Sequence, residues 1–127
     1  MKIIETEYSK ESAGHYSPGV IGGNTLYISG QLSIDPKTKQ RPESFELEVK
    51  QALDNVLHVI SVAGLCKEDI LMVRAYIPDV KYWDSFNTYY AAWFGEHKPA
   101  RVVVPSRELH FGCNVEIEAI AEVGGEK

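Results

Sequence analysis

An α+β sandwich, with two helices laid on one face of a mixed sheet, is the fold this sequence predicts. Three observations lead there. Strand-like and helix-like segments follow one another as strands, helix, strand, helix, strand, strand, which suits helices segregated to one side of a sheet. Phe45, Val49, Ala52, Leu53, Val56, Leu57, Ile60 and Ala63 recur at the helical period, so that segment has one apolar face. The stretch 70–77 carries apolar residues on both strand faces, and 102–104 is an unbroken run of valines. Such strands are buried on both sides. Two helices cover only one side, so the other face is expected to pack on a further copy of the chain.

Each element has its own local signals. A short strand is expected near 2–5. A hairpin follows, with Val20-Ile21 and Leu26-Tyr27-Ile28 flanking the turn-rich Gly22-Gly23-Asn24, and its second arm ends at Ser29-Gly30-Gln31. Asp35-Pro36-Lys37-Thr38-Lys39 reads as a turn. Pro42 and Ser44 open the long helix, and Gly64 closes it because it tolerates positive φ. In the strand 70–77, Leu71, Val73, Ala75 and Ile77 are assigned to one face and Ile70, Met72, Arg74 and Tyr76 to the other. A second helix is expected over 80–94, with Trp83, Phe86, Asn87, Tyr90 and Phe94 on one side and Gly95 as its stop. The last strands are expected at 101–104 and 114–123.

The 127 residues suit one domain spanning 1–127, large enough for a hydrophobic core without metal or disulfide staples. The apolar fraction is 44% and the charged fraction 24%, ordinary for a globular chain. Acids outnumber bases 18 to 13, for a formal charge of -5, and the bases are scattered. A phosphate-tracking surface needs clustered Lys and Arg, so nucleic acid is a poor partner. Glu5 and Glu7 interrupt the apolar start, and no apolar run reaches the roughly 20 residues of a membrane span, so no membrane partner is expected. Cys66 and Cys113 lack CxxC spacing, which fits free thiols in a cytoplasmic protein.

The residues that can carry chemistry are few. Arg101 opens an apolar strand, where a guanidinium can clamp a carboxylate with two parallel hydrogen bonds or simply be solvated at a strand edge. Glu116 and Glu118 share a strand face; they can divide acid and base roles or mark the solvent side. Ser29 and Gly30 end a strand where backbone can approach a ligand, or form a plain bulge. Tyr16 can offer its phenol to a ligand or pack. His15, His58, His97 and His110 have no metal-ligand spacing, so no metal is expected, and no nucleophile motif is present.

Six stretches in order resemble one family across nearly the whole chain. They are Gly14-His15-Tyr16-Ser17-Pro18-Gly19, Leu26-Tyr27-Ile28-Ser29-Gly30-Gln31, Gln51-Ala52-Leu53-Asp54-Asn55-Val56, Ala63-Gly64-Leu65, Lys98-Pro99-Ala100-Arg101 and Val115-Glu116-Ile117-Glu118-Ala119-Ile120-Ala121. They are similar to the Rid family, the RidA/YjgF-like reactive intermediate deaminases. The resemblance implies a chorismate-mutase-like fold and a homotrimer with ligand clefts between subunits. It implies hydrolysis of 2-aminoacrylate, 2-iminopropanoate or 2-iminobutanoate to 2-keto acids and ammonia, without a cofactor. By position, Arg101 would bind the substrate carboxylate and Glu116 would orient or activate water. Tyr16, Ser29 and Gly30 would line the cleft, and Asn87 matches a family residue with an implied structural role.

Three departures bear on the cleft. Val103 stands where many members have Cys, Leu109-His110-Phe111-Gly112 replaces a Leu-Pro-Lys-Gly type stretch, and His15 and Pro18 flank Tyr16 where the family often has Pro and Gln. Val103 and His110 are therefore rim positions at which substrate preference can differ. Two other functions compete: a non-catalytic trimer that binds or senses a small carboxylate, and an endoribonuclease or translation inhibitor, which the acidic balance disfavours.

Overall fold

Residues 1–11 and 14–125 are described by the computed structural model. The chain enters as β1 (Lys2–Ile4), antiparallel to β2 (Gly19–Gly22), which turns tightly into β3 (Thr25–Leu32). Gly23 in that turn has φ +58, a left-handed angle that costs glycine little. A turn over Asp35-Pro36-Lys37-Thr38 leads to α1 (Phe45–Val62), whose N-cap Ser44 accepts a hydrogen bond from the Leu47 amide at 3.2 Å. Such a cap satisfies one of the amides that a helix start leaves unpaired. β4 (Ile70–Ile77), α2 (Trp83–Phe94) and β5 (Ala100–Pro105) form a crossover unit, with β4 and β5 parallel and α2 as the required connection. β6 (Glu116–Glu122) inserts antiparallel between β3 and β4. The six strands form one mixed sheet in the order β1-β2-β3-β6-β4-β5, and α1 and α2 lie together on one face. The fold class read from the sequence is the one observed.

The covered face supplies the core. Leu26, Ile28, Val73, Ala75, Ile77, Ile117, Ala119 and Ala121 pack beneath Val49, Leu53, Val56, Ile60 and Phe86 of the helices. Full burial of the Val, Leu, Ile and Phe side chains among them contributes roughly 1.5–3 kcal/mol each. Strand register defines the opposite, open face in three rungs: Tyr27, Ile120 and Met72; then Glu118, Arg74 and Val102; then Glu116, Tyr76 and Val104. Tyr27 is 52% exposed and Val102 41%, so this face carries apolar surface around a charged centre.

Three local expectations need correction. Leu71 and Ile70 exchange sides: Ile70 is 1% exposed and Leu71 47%. A register shift in the pairing with β6 between Ile70 and Met72 is the cause, because one extra residue reverses alternation on one side of it. The helix expected over 80–94 begins instead as a separate 3₁₀ turn, Val80–Tyr82, capped by the Asp79 carboxylate accepting from the Lys81 amide at 2.9 Å. The last strand starts at Glu116 rather than at 114, because Asn114 is engaged by α1. Its amide and Nδ2 donate to the Glu48 carboxylate at 3.0 and 2.8 Å.

Candidate functional site

Glu116 opens β6 on the open face and is half-buried. Its carboxylate lies against the backbone of Gly30: a Cβ placed on Gly30 would stand 2.6 Å from Glu116 Oε2. Only glycine permits that approach. The close approach follows from a bulge, in which Ser29 and Gly30 of β3 face the single residue Glu118 between the Ile28–Ala119 and Gln31–Ile117 pairs. Ser29 in turn holds the preceding loop. Its Oγ donates to the Ser17 carbonyl at 2.6 Å and its amide to the Pro18 carbonyl at 3.0 Å. That loop presents Tyr16, 58% exposed. The structure thus brings Gly30 against Glu116 and ties the loop that carries Tyr16 to the neighbouring Ser29.

Burial pushes the Glu116 carboxyl above the usual carboxylate range, and the Glu118 charge adds to the rise. His110 acts in the opposite sense and makes the Glu116 proton easier to lose. His110 is exposed, and its ring lies tilted against Phe111, which is 71% exposed at φ 59. Arg41 donates to the Gly112 carbonyl and pins this turn. Glu118 does not share the environment of Glu116. Tyr76 Oη donates to it at 2.5 Å and Arg74 approaches at 3.5 Å, so its charge is already engaged. The hydrogen bond to that carboxylate is also the main reason the Tyr76 phenol is pushed up.

Arg101 lies elsewhere. It is the second residue of β5 and pairs in register with Val73, a residue of the helix-covered face. Its guanidinium donates from Nη1 to Asn87 Oδ1 at 2.9 Å and sits over the rings of Tyr90 and Trp83, 4.9 and 5.5 Å from their centroids. Among the described residues no carboxylate pairs with it. Burial pushes the Tyr90 phenol up to about 12, with the Arg101 charge pulling slightly the other way. Val103, also on the covered side, is partly buried against the core.

Within one copy, then, Arg101 and Glu116 do not meet. They stand on opposite faces, two strands apart and three residues along, or roughly 10 Å in each in-plane direction. Two surface hollows of about 410 and 320 Å³ are lined by neither residue; they flank the Asp35–Pro42 region and the Phe111 side chain.

Sequence reasoning had placed Asn87 on the right face of α2 but missed its hydrogen bond to Arg101. An amide on an otherwise apolar stripe, with Trp83, Phe86, Tyr90 and Phe94, was the available signal. It also missed Tyr76 and Arg74 as partners of Glu118, and the buried Glu48, which accepts from Ser33 Oγ at 2.8 Å as well as from Asn114.

Comparison with known proteins adds to this geometry. The family model described as endoribonuclease L-PSP matches residues 6–123. The chain belongs to the YjgF/RidA family. Within it, the 2-iminobutanoate/2-iminopropanoate deaminase of Escherichia coli K12 is 37% identical over 123 residues, covering 94% of this chain and 96% of the relative. A RutC family protein of Sulfurisphaera tokodaii is 34% identical over 125 residues, covering 98% and 100%. Among solved structures, the YjgF gene product of E. coli superposes with a TM-score of 0.89 at 36% identity, covering 96% and 98% of the two chains. E. coli TdcF, solved with bound serine, gives 0.89 at 33% identity with the same coverage. These matches agree with the two helices on a mixed six-stranded sheet seen here.

Proposed function

We propose that this YjgF/RidA member hydrolyses 2-imino and 2-enamino acids to 2-keto acids and ammonia, in clefts formed between copies of the chain. The observation that carries the reading is the state of Arg101. It is held by an amide and two ring faces, with no carboxylate paired to it among the described residues. A guanidinium presented in this way suits a small carboxylate ligand. The related deaminase of E. coli and the serine-bound TdcF agree with a small amino- or imino-acid ligand.

Because Arg101 and Glu116 face opposite sides of one sheet, a single site using both takes Arg101 from one copy and Glu116 from a neighbour. The apolar open face, with Tyr27, Val102, Val104 and Ile120, is the surface that would be covered in a homotrimer. Arg101 fixes the substrate carboxylate and so places the C=N carbon within reach of water. Glu116 accepts a proton as the water oxygen bonds to that carbon. It delivers that proton to nitrogen to give a carbinolamine, and the hydroxyl proton of this intermediate then passes through Glu116 to the amino nitrogen as the C–N bond breaks, leaving the keto C=O and ammonia. An enamine first gains a proton at carbon and loses one from nitrogen to give the imine. Water supplies the oxygen, and the chemistry calls for no cofactor. Tyr16, Ser29 and Gly30 shape the wall beside Glu116, and His110 and Val103 lie where substrate preference is set.

A Thr dehydratase that generates 2-iminobutanoate in the presence of semicarbazide provides the test, since hydrolysis lowers the trapped product. Rate enhancement by the wild-type protein, lost in Arg101→Ala, is the expected result. Stoichiometric binding with no enhancement would replace catalysis by sensing. Steeply salt-dependent RNA binding would favour the ribonuclease named in the family description.

A further inference from the structure

We propose that Asn87 is a positioning residue for Arg101, and that its lack of charge keeps the guanidinium available to the ligand's carboxylate. The inference deepens the proposed function and rests on Arg101 being the carboxylate clamp. Three groups hold that side chain, and all are neutral. Asn87 Oδ1 accepts from Nη1 at 2.9 Å, and the Tyr90 and Trp83 rings lie 4.9 and 5.5 Å from the guanidinium carbon. A ring face attracts a cation without neutralising it, and an amide oxygen fixes orientation with one hydrogen bond. The supports are themselves fixed. Tyr90 is 6% exposed and packs, with tilted rings, between Phe86 and Phe94 at 5.5 and 4.6 Å, and Asn87 follows the fully buried Phe86 on α2.

A carboxylate would be the usual partner for an arginine against a fold, because charge-assisted bidentate pairs are the strong ones. Here it would defeat the purpose. An aspartate in place of Asn87 has nearly the same size and would sit at the same hydrogen-bonding distance. It would engage the N–H fork that a substrate carboxylate needs. The amide gives the orientation of such a pair without the competition.

The test compares wild type with Asn87→Asp, Asn87→Leu and Arg101→Ala. Isothermal titration gives the dissociation constant for 2-oxobutanoate, a product-class probe that carries the carboxylate without reacting. Thermal melting and sedimentation report the fold and assembly. Asn87→Asp is expected to weaken binding about tenfold or more, with a melting temperature equal to or above that of wild type, because it adds an internal ion pair. In turnover its KM rises more than its kcat falls. Asn87→Leu removes orientation without adding charge, so it weakens binding less than Asn87→Asp does. A purely structural role for Asn87 makes the opposite forecast: a lower melting temperature in both variants and unchanged affinity in the folded fraction. Tight binding by Asn87→Asp, with Arg101→Ala weak, would overturn the inference while leaving the clamp in place. Tight binding by Arg101→Ala would overturn the clamp and the inference with it. The expected binding pattern without turnover in the wild type would uphold the inference and remove only the deaminase reading.

Discussion

Glu116 has neighbours of opposite effect, and its proton affinity reflects both. Burial and Glu118 raise it, and His110 lowers it. If the ionised carboxylate takes the proton from water, kcat/KM falls on the acid side with an apparent pKa above the ordinary glutamate value. Glu118→Gln should move that limb to lower pH and His110→Gln to higher pH. Equal limbs in all three proteins would detach the pH profile from Glu116. Stability has a definite sign as well. A carboxyl whose folded pKa is raised stabilises the fold below its unfolded pKa and loses that contribution as pH rises through the folded value. Glu116→Gln should therefore melt slightly higher than wild type at pH 7, and the gain should fade in acid. Gly30 gives a steric counterpart. A methyl there would strike Glu116 Oε2, the far end of a flexible side chain. Gly30→Ala should therefore fold yet displace the carboxylate, and a misplacement near 1 Å can cost about 100-fold in turnover. Normal turnover in a folded Gly30→Ala protein would show that the carboxylate position is not critical.

At the scale of elements, α1 is tied to the ends of the two central strands, β3 and β6, by one acidic side chain. Glu48 is buried at 3% exposure and accepts from Ser33 Oγ, the Asn114 amide and Asn114 Nδ2. Glu48→Ala leaves these donors without an acceptor, at a cost of about 1–3 kcal/mol, more if they stay dry. Chemical denaturation should show this loss, and a change below about 0.5 kcal/mol would mean that water replaces the carboxylate. Nothing in the sequence pointed to Glu48, since an acid one turn into a helix, after Glu43 and Glu46, reads as one of several solvated favourable charges. What was legible was whatever rests on periodicity and turn chemistry: α1 from Phe45 through Ile60, the Gly64 stop at φ +81, and the hairpin at Gly23. What was not legible depends on pairing across distant strands. The shift that sends Ile70 inward and Leu71 outward arises between β4 and β6, whose partners Ile70 and Ala121 lie 51 residues apart in sequence. The same holds for the site. Glu116 and Glu118 share a face as their spacing requires, but Tyr76 and Arg74 reach Glu118 only once β4 is registered against β6. The Asn87–Arg101 bond likewise needs the crossover of α2 onto β5.

For the whole molecule, the open sheet face is the decisive surface. Tyr27, Met72, Val102, Val104 and Ile120 surround Arg74, Tyr76, Glu116 and Glu118. A face of this kind suits a contact with further copies whose charged centre is met by matched groups. Val102→Asp places an unpaired charge in that surface and should break the proposed trimer into monomers, with loss of turnover. A wild-type chain that stays monomeric at micromolar concentration would remove the composite cleft. The central claim is that each cleft joins Arg101 of one copy to Glu116 of the next, and subunit mixing tests it most directly. Arg101→Ala and Glu116→Gln, each inactive alone, are refolded together in equal amounts and assayed with 2-iminobutanoate. In a cyclic trimer a cleft works when its Arg comes from the Glu116→Gln chain and its Glu from the Arg101→Ala chain, so activity should return to about one quarter of wild type. Activity that stays at the level of the separate variants in verified mixed trimers would contradict the account, because every cleft would then draw both residues from one chain.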